Sequence, residues 1–316
     1  ARDKWMSNPY VFIVGCPRSG TTLLRHMVDA HPEIVITPEA HWIPLWFEEG
    51  AGLTAEGMIT PELIARLLDH PKFALFRLGR KDVIALAGDG HSLSYAALVT
   101  AIHDLYGKIR SKAFVGNKTP DSARRMQTLH ALWPEARFVH LIRDGRDVAL
   151  SLMAWPRVTQ KRPGTLPTWK DDPVSTAALW WELNVRRGRE GGRLLGSGLY
   201  HELRYESLIA NPAEECANLC AFLGLPYDDA MLRFYENRPR KSLSARNDWR
   251  PITPSLRDWR TQMPAEEVER FEATVGELLD ELGYPRAFPS VRHAVMEHSC
   301  KIRELLTQHS LWPARQ

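Results

Sequence analysis

The chain has 316 residues, of which 44% are hydrophobic, and this is enough apolar material for one large α/β domain or two small ones. Its formal net charge is only +3, from 41 basic and 38 acidic residues, which excludes a polycationic nucleic-acid-binding surface and leaves any anion site local. Four cysteines without a C-x-x-C pair exclude a disulfide scaffold and favour reduced thiols.

The predicted elements begin with a buried strand and then alternate with helices along the chain. "YVFIVG" (10–15) is a short β-branched and aromatic run that ends in glycine, as is typical of a buried parallel strand. Apolar residues follow at helical spacing until His31-Pro32, because a residue before proline avoids the helical conformation. The further predicted strands are "EIVIT" (33–37), "AFVGNKTP" (113–120), "ARFVHLIRDG" (136–145) and "GLYHELRYESL" (198–208), and further helical patterns occupy about 51–112, 212–236 and 264–283.

This alternation predicts an α/β fold of the P-loop type, a three-layer α/β/α arrangement around a central, mainly parallel sheet. Ligands of such sheets bind at the carboxyl ends of the strands. Four chemically strong positions follow predicted strands there: Arg18–Thr22, Glu39, Lys118 and Arg143. We therefore expect the functional site at this edge of the sheet.

The domain prediction is a single domain over 1–286, followed by a helical tail over 287–316. Residues 51–112 form a helical insert in this prediction. The proline-rich stretches 156–173 and 238–260 are predicted lid loops, since long irregular loops inside a compact domain are usually functional or disordered. The tail has apolar residues at helical spacing, and we expect it to pack on the domain or on a partner subunit of a homodimer.

The loop "VGCPRSGTTLLR" (14–25) has the Gly-x-x-x-x-Gly spacing of a phosphate-binding loop at Gly15 and Gly20, but threonine stands where an NTPase carries lysine. Consecutive backbone N–H groups ahead of a helix still bind an anion, and Arg18 adds a forked guanidinium that suits phosphate or sulfate. The missing lysine argues against transfer of a γ-phosphate. The glycine spacing by itself also fits an ordinary strand–glycine–helix turn.

Residues 12–39, "FIVGCPRSGTTLLRHMVDAHPEIVITPE", resemble the start of a sulfotransferase, and most of all the subgroup of tyrosylprotein and bacterial sulfotransferases. The resemblance implies a donor, 3′-phosphoadenosine 5′-phosphosulfate (PAPS), which leaves as the product 3′-phosphoadenosine 5′-phosphate (PAP). It assigns the 5′-phosphosulfate to the loop residues Pro17, Arg18, Ser19, Gly20, Thr21 and Thr22.

A second element of the same family is an arginine followed eight residues later by a serine. Arg143 and Ser151 in "FVHLIRDGRDVALS" match it, and the resemblance implies that they hold the 3′-phosphate. Two alternatives stay open at this stage. The strand could be a Walker B strand with Asp144 on Mg²⁺, or Arg143 and Asp144 could be a surface turn pair.

Lys118 in "GNKTPD" lies 25 residues before Arg143, which is the separation found in the tyrosylprotein subgroup. The resemblance places this lysine at the bridging oxygen of the leaving phosphate. Breaking the S–O bond builds negative charge on that oxygen, so a lysine aimed there stabilises the transition state. Taken alone, the residue would be a solvated surface lysine.

A hydroxyl acceptor must lose its proton as the sulfuryl group arrives, so a base has to lie within hydrogen-bond reach. The histidine that cytosolic small-molecule sulfotransferases use is missing, because the run here is Lys118-Thr119-Pro120. The resemblance implies Glu39 in "TPEAHW" as the base instead, with His41 as the reserve candidate. Without the resemblance, Glu39 is an acidic residue near a helix start, which the helix dipole favours.

The remaining implied contacts rest on a looser resemblance. Tyr205 matches a family tyrosine near the adenine, and its alternative is a strand tyrosine half in the core. Ser244 aligns with a serine that approaches the transferred group, so it joins the catalytic candidates. Arg250 and Arg257 lie in the loop that would cover the nucleotide. Asp258 and Trp155 stand where the subgroup has a lysine and an arginine, and these departures concern the details of nucleotide contact.

Together these features predict transfer of a sulfuryl group from PAPS to a hydroxyl by in-line displacement, with a glutamate base and without a metal. The alternatives are a P-loop kinase or NTPase, which needs Mg²⁺ and ATP, and a non-catalytic PAP-binding protein. Trp42, Trp46, Phe47, Trp155 and Trp169 could line an acceptor pocket or belong to the core.

The acceptor itself is left open, and we favour a small molecule over a peptide. No apolar run reaches the roughly 18 residues that a transmembrane helix needs, and the start "ARDKWMSNPY" has no export signal. We therefore expect a cytoplasmic protein without nucleic-acid partners, although Ala1 is not a natural start and a removed leader stays an alternative.

Overall fold

The computed structural model describes residues 8–88, 93–236, 252 and 257–308. Within these ranges the strands are β1 (Val11–Gly15), β2 (Ile34–Thr37), β3 (Phe114–Lys118), β4 (Arg137–Ile142) and β5 (Tyr200–Arg204). The α-helices are α1 (Thr21–Ala30), α2 (Trp42–Glu49), α3 (Pro61–Leu68), α4 (Pro71–Ala74), α5 (Arg80–Ala87), α6 (Tyr95–Ile109), α7 (Met126–Leu132), α8 (Gly145–Met153), α9 (Pro173–Leu195), α10 (Tyr205–Ala210), α11 (Pro212–Leu223), α12 (Trp259–Gln262), α13 (Ala265–Glu281) and α14 (His293–Thr307). Short 3₁₀ helices lie at Pro120–Arg125, Val158–Gln160, Pro167–Trp169 and Asp229–Met231.

All five predicted strands are present, each shorter than the run that predicted it. The largest difference is in the fifth run, because the strand ends at Arg204 and a helix begins at Tyr205. Glu206 lies in the first turn of that helix, where the helix dipole favours an acidic residue. The alternative that made Tyr205 a strand residue is therefore wrong.

The described residues group into two compact units. The first unit is drawn from Ala1–Gly15, Gly20–Leu141 and Gly188–Ile252, and the second from Cys16–Ser19, Ile142–Arg187 and Thr253–Gln316. Each unit has its own apolar core. The single domain expected over 1–286 stays a prediction.

The first unit contains the sheet, in the order β2-β3-β1-β4-β5. β1 pairs in parallel with β3 and β4, and β2 pairs in parallel with β3. Successive residues of β1 point to opposite faces, so Phe12 and Val14 join one apolar cluster while Val11 and Ile13 join another. Since both faces of the sheet are covered by helices, the predicted α/β/α fold is confirmed.

The helical insert forms one of these two layers. Leu63 of α3, Val83 of α5 and Ile102 of α6 belong to the same cluster as Phe12 of β1. Trp42 and Trp46 of α2 lie in this cluster too, with exposures of 2% and 5%. These two tryptophans are therefore core residues, which was the second interpretation of them.

The second unit packs α8, α9, α13 and α14 around the buried side chains of Trp180, Trp181 and Phe271. The predicted lid segment 156–173 belongs to this packing, because Leu166 and Trp169 are buried in the same cluster. α14 lies in the predicted tail and buries Ile302 and Leu306 there. No α-helix in the described ranges has the length and apolar character needed to cross a bilayer.

Arg146 at the start of α8 is the buried charge at the centre of the second unit. Its side chain has 0% exposure and contacts Asp144 at 2.7 Å and Glu272 at 2.6 Å. The guanidinium also donates to the carbonyl of Pro285 at 2.9 Å and lies 3.7 Å from the ring centre of Trp259. One buried cation therefore compensates two buried carboxylates.

Replacing Arg146 with methionine should destabilise the protein by about 3–5 kcal/mol, because both carboxylates would stay buried without their partner. The matched control is Lys301→Met, which breaks an ion pair with Glu297 whose side chains are 67% and 58% exposed. That exposed pair should contribute less than about 1 kcal/mol. The measurement is urea unfolding of both variants, and equal losses would contradict the role of burial.

Candidate active site

The loop between β1 and α1 has an unusual backbone. Arg18 and Gly20 adopt φ angles of 77° and 94°, in the left-handed region that costs most residues free energy. The N–H of Ser19 donates to the carbonyl of Cys16 at 3.1 Å and closes the turn. A Cβ atom on Gly20 would lie 2.5 Å from the ring of Tyr205, so only glycine fits under that ring. Strain of this kind is common where a loop binds a ligand.

Ser19 carries an unsatisfied polar group in this loop. Its side chain is fully buried, and its Oγ has no hydrogen-bond partner among the residues that the structure describes. A buried hydroxyl without a partner is costly, and such groups in native structures call for a ligand, a water or an ion. At the head of α1, Thr21 is buried and Thr22 is half-buried. Hydroxyls and N–H groups at a helix start suit an anion.

Arg18, within the second unit, lies among further cations. Its Nε donates to Oγ of Ser151 at 3.1 Å, and its guanidinium lies 5.8 Å from the ring centre of Trp155. Burial lowers the pKa of Arg18, and the positive charges of Arg257 and Arg143 lower it further. A bound anion would therefore stabilise the charge on Arg18.

Arg143 follows β4 and contacts Asp147 of α8 and Trp181 of α9. Its Nη2 donates to Oδ2 of Asp147 at 3.2 Å, and its carbonyl accepts from Nε1 of Trp181 at 3.0 Å. The other oxygen of Asp147 accepts from the N–H of Trp259 at 2.9 Å. Asp147 thus fixes the position of the Arg143 side chain.

Asp144, the candidate Mg²⁺ ligand, has both carboxylate oxygens engaged. Oδ1 accepts from the N–H and Nε of Arg146, each at 3.0 Å, and Oδ2 accepts from Nη2 of Arg146 and Nε1 of Trp259. These contacts argue against the Walker B interpretation. Among the described residues, there is no group of three or more His, Cys, Asp or Glu side chains that could hold a metal ion.

In the first unit, Glu39 and Lys118 meet although they are 79 residues apart in sequence. Nζ of Lys118 donates to Oε1 of Glu39 at 2.5 Å. The register explains the meeting, because Thr37 of β2 pairs with Asn117 of β3 and both functional residues lie just beyond that pair. Thr119 fixes the two chain segments by accepting the N–H of Ala40 at 2.9 Å.

The two charges have different surroundings. The Lys118 side chain is 4% exposed, whereas that of Glu39 is 32% exposed. Burial raises the pKa of Glu39, but its hydrogen bond to His41 and the charge of Lys118 outweigh that effect and hold the pKa well below its ordinary value. Burial lowers the pKa of Lys118, and its contact with Glu39 opposes that change.

Two more side chains lie near Glu39, and a third lies near His41. Nε2 of His41 lies 3.5 Å from Oε2 of Glu39, and Nζ of Lys72 in α4 lies 4.0 Å from the same oxygen. Nδ1 of His41 lies 3.8 Å from Oδ2 of Asp121. Sequence reasoning missed Lys72 and Asp121. Asp121 stands three residues after Lys118, which was a usable signal, but nothing in the sequence connects Lys72 of the insert with Glu39.

The structure thus brings together Glu39, Lys118 and the reserve candidate His41. In the second unit it brings together Arg18, Ser151, Arg143 and Arg257. The ring of Tyr205 packs on Gly20, while Ser244 and Arg250 lie outside the described residues. The functional roles of all these residues stay predictions.

Two solved structures share this fold. A sulfotransferase domain from the curacin biosynthetic pathway has a TM-score of 0.60 at 22% identity, over 88% of this chain and 98% of that one. The sulfotransferase domain of the Synechococcus PCC 7002 olefin synthase has a TM-score of 0.57 at 21% identity, over 96% of each chain. At these identities the likeness shows the fold.

The family follows from sequence comparison. A model described as "Sulfotransferase family" matches residues 9–229. Nodulation protein NoeE of Sinorhizobium fredii is 30% identical, over 90% of this chain and 68% of its own length. The protein-tyrosine sulfotransferase of Drosophila melanogaster is 27% identical, over 89% of this chain and 53% of its own. The chain therefore belongs to the sulfotransferase family, and it is a transferase that moves a sulfuryl group.

Proposed function

We propose that the chain transfers the sulfuryl group of PAPS to a hydroxyl by in-line displacement, with Glu39 as the base and Lys118 beside the leaving oxygen. The observation that carries this proposal is the 2.5 Å contact between Lys118 and Glu39 at the carboxyl ends of β3 and β2. It brings the two groups that the reaction needs, a cation for the leaving oxygen and an acceptor for the proton, to one place.

The loop residues fit the 5′-phosphosulfate end of such a donor. The buried Oγ of Ser19 has no partner among the described residues, and an anionic oxygen would satisfy it. Gly20 lets the loop pass under the Tyr205 ring without a clash, and Arg18 offers a guanidinium that Ser151 contacts. When bound, PAPS supplies an activated sulfuryl group with a phosphate as the leaving group.

Arg143, Ser151 and Arg257 are the proposed partners of the 3′-phosphate. The positive charges of Arg143 and Arg257 disfavour the charge on Arg18, and this supports the role, because a dianion would offset that effect. Asp147 already holds one nitrogen of Arg143 and so limits the orientations of that side chain. Because both carboxylate oxygens of Asp144 are engaged with Arg146 and Trp259, we propose that binding needs no metal.

Lys118 is the proposed group for the developing negative charge. Its ammonium is almost completely buried, and a positive charge acts more strongly where water is excluded. A second anion would compete with Oε1 of Glu39 for this single positive charge. That competition would weaken one of the interactions that hold the pKa of Glu39 low, so Glu39 would become a stronger base at that moment.

For the acceptor we favour a small molecule with a hydroxyl group, in the cytoplasm, and a homodimer remains part of this proposal. The relatives named protein-tyrosine sulfotransferases act on tyrosine in proteins, which keeps a peptidyl tyrosine as the second acceptor class. A screen of alcohols, phenols, sugars and tyrosine peptides with PAPS would decide between them. Sulfation of tyrosine peptides alone would overturn the small-molecule choice.

Replacing Glu39 with glutamine should lower the transfer rate by about 10²–10⁴-fold, the usual contribution of a general base, and leave PAP binding intact. The control is Glu48→Gln, an exposed carboxylate of the same unit that pairs with Arg125. Rates come from transfer of radiolabelled sulfate from PAPS, and PAP affinity comes from calorimetry. A Glu39→Gln enzyme with the full rate would contradict the choice of base.

Replacing Arg143 with glutamine should reduce the preference for PAP over adenosine 5′-phosphate by about 10- to 100-fold, as expected for a lost charged hydrogen bond of about 1.5–3 kcal/mol. The exposed Arg157 of the same unit gives the control, Arg157→Gln. Calorimetry with and without Mg²⁺ should give equal PAP affinities. Tighter binding of Mg²⁺-ATP than of PAP would rule out the proposed donor.

Replacing Gly20 with alanine should weaken PAP binding at least tenfold, because the new Cβ atom meets the Tyr205 ring and displaces the loop. Gly50→Ala is the control, since Gly50 also has a positive φ, of 65°, but open space around it. Both variants pay a backbone cost of about 1–2 kcal/mol in stability. Only Gly20→Ala should lose affinity, and equal affinities would contradict the role of the loop.

A further inference from the structure

We propose that Glu39 and His41 act as one composite base, in which the acceptor's proton ends on Nε2 of His41 while Asp121 orients the ring. This inference rests on the proposed role of Glu39. It assigns His41 a role other than that of the primary base, and it assigns a positioning role to Asp121.

Nitrogen-bearing and carboxylate side chains alternate along this part of the first unit. Oε1 of Glu39 contacts Lys118, and Oε2 lies 3.5 Å from Nε2 of His41. The opposite ring nitrogen, Nδ1, lies 3.8 Å from Oδ2 of Asp121. The second oxygen of Asp121 lies 3.5 Å from Nη2 of Arg124, which holds that carboxylate in turn. An imidazole between two carboxylates is well placed to carry a proton.

Glu39 is a weak base while His41 and Lys118 contact it, because these contacts hold its pKa well below the ordinary value for a carboxyl group. Each pKa unit between a hydroxyl and its base makes proton transfer tenfold less favourable. An imidazole holds a proton more tightly than a carboxylate does. Passing the proton on to the imidazole therefore lowers the cost of removing it from the acceptor.

The acceptor's O–H bond breaks, its electron pair forms the new O–S bond, and the S–O bond to the leaving phosphate breaks with its electron pair on the phosphate oxygen. The proton goes to the Glu39 carboxylate, which Lys118 has released and which can then rotate about its Cγ–Cδ bond. Nε2 of His41 then takes the proton, which requires the tautomer with its N–H on Nδ1 in place of the form that donates to Glu39, and Asp121 beside Nδ1 favours that tautomer. The imidazolium releases the proton to water, since the His41 side chain is 35% exposed.

The charged and titratable groups around His41 come from several elements. Glu39 follows β2, Asp121 lies in the 3₁₀ helix after β3, and His70 and Lys72 lie at α4. Burial lowers the pKa of His70, and nearby positive charges lower it further, so His70 holds a proton less tightly than an ordinary histidine does. Lys72 is a cationic neighbour of the same Glu39 oxygen.

The kinetic test compares His41→Gln with His293→Gln, using an acceptor found in the screen. Glutamine keeps a polar group beside Glu39 but cannot carry the proton, so kcat should fall about 10- to 100-fold with unchanged PAP affinity. His293 is an exposed histidine outside the candidate site, so His293→Gln should stay within about twofold of wild type. Added imidazole should restore kcat to His41→Ala in proportion to its neutral form, which a structural role would not produce.

A second readout needs no turnover. In protein labelled with ¹³C at the histidine rings, the signal that His41→Gln removes belongs to His41. Its ring chemical shifts at a fixed pH should change in Glu39→Gln and in Asp121→Asn, because each variant removes a carboxylate beside a ring nitrogen. Ring shifts that stay in place in both variants would overturn the coupling between these groups.

The two proposals can fail separately. A fully active Glu39→Gln enzyme overturns the proposed base, and the composite base with it. An inactive Glu39→Gln enzyme beside a His41→Gln enzyme with wild-type kcat leaves Glu39 as the base and overturns only the composite base. Loss of kcat in His41→Ala without rescue by imidazole, at unchanged PAP affinity, also overturns it.

Discussion

The ion pair between Lys118 and Glu39 is the constraint on which the candidate site of the first unit depends. Thr37 and Asn117 pair at the ends of two parallel strands, and this register places Glu39 and Lys118 beside each other. The lysine is almost fully buried, and a buried ammonium is stable as a charge only beside an anion. Each residue therefore maintains the ionised state of the other, and the geometry of the site follows from the sheet.

The second unit contains two arginines whose positive charges are compensated to different degrees. Arg146 has two buried carboxylate partners and an indole ring, so its charge is compensated within the unit. The pKa of Arg18, in contrast, is lowered by burial and by two neighbouring guanidinium groups. The carboxylate partners of Arg146 indicate a structural role for this cation. Near Arg18 the neighbouring charges are positive, so a bound anion would stabilise this part of the unit most. The two arginines also differ in exposure, since Arg146 is fully buried whereas Arg18 is exposed.

Sequence predicted the fold and the residues at the strand ends because both depend on local patterns. A short apolar run fixes a strand, and the residue after it then lies at the ligand-binding edge, as Glu39 and Lys118 do. Contacts that depend on packing could not be predicted. Lys72 reaches Glu39 only because the insert folds back on the sheet, and Trp42 is buried for the same reason. Tyr205 was misassigned to a strand because helix and strand patterns overlap where a strand runs directly into a helix.

The position of Lys118 links the two halves of the proposed chemistry. The three donors of one ammonium can contact the Glu39 carboxylate and a leaving oxygen together, but they share a single positive charge, so each anion weakens the attraction of the lysine for the other. While it contacts Glu39, the carboxylate is a poor base and an acceptor hydroxyl keeps its proton. Once a stronger anion attracts it, Glu39 loses its closest cation and gains basicity. On this argument the ion pair keeps the base inactive until the lysine is needed elsewhere, so proton removal and charge stabilisation begin together.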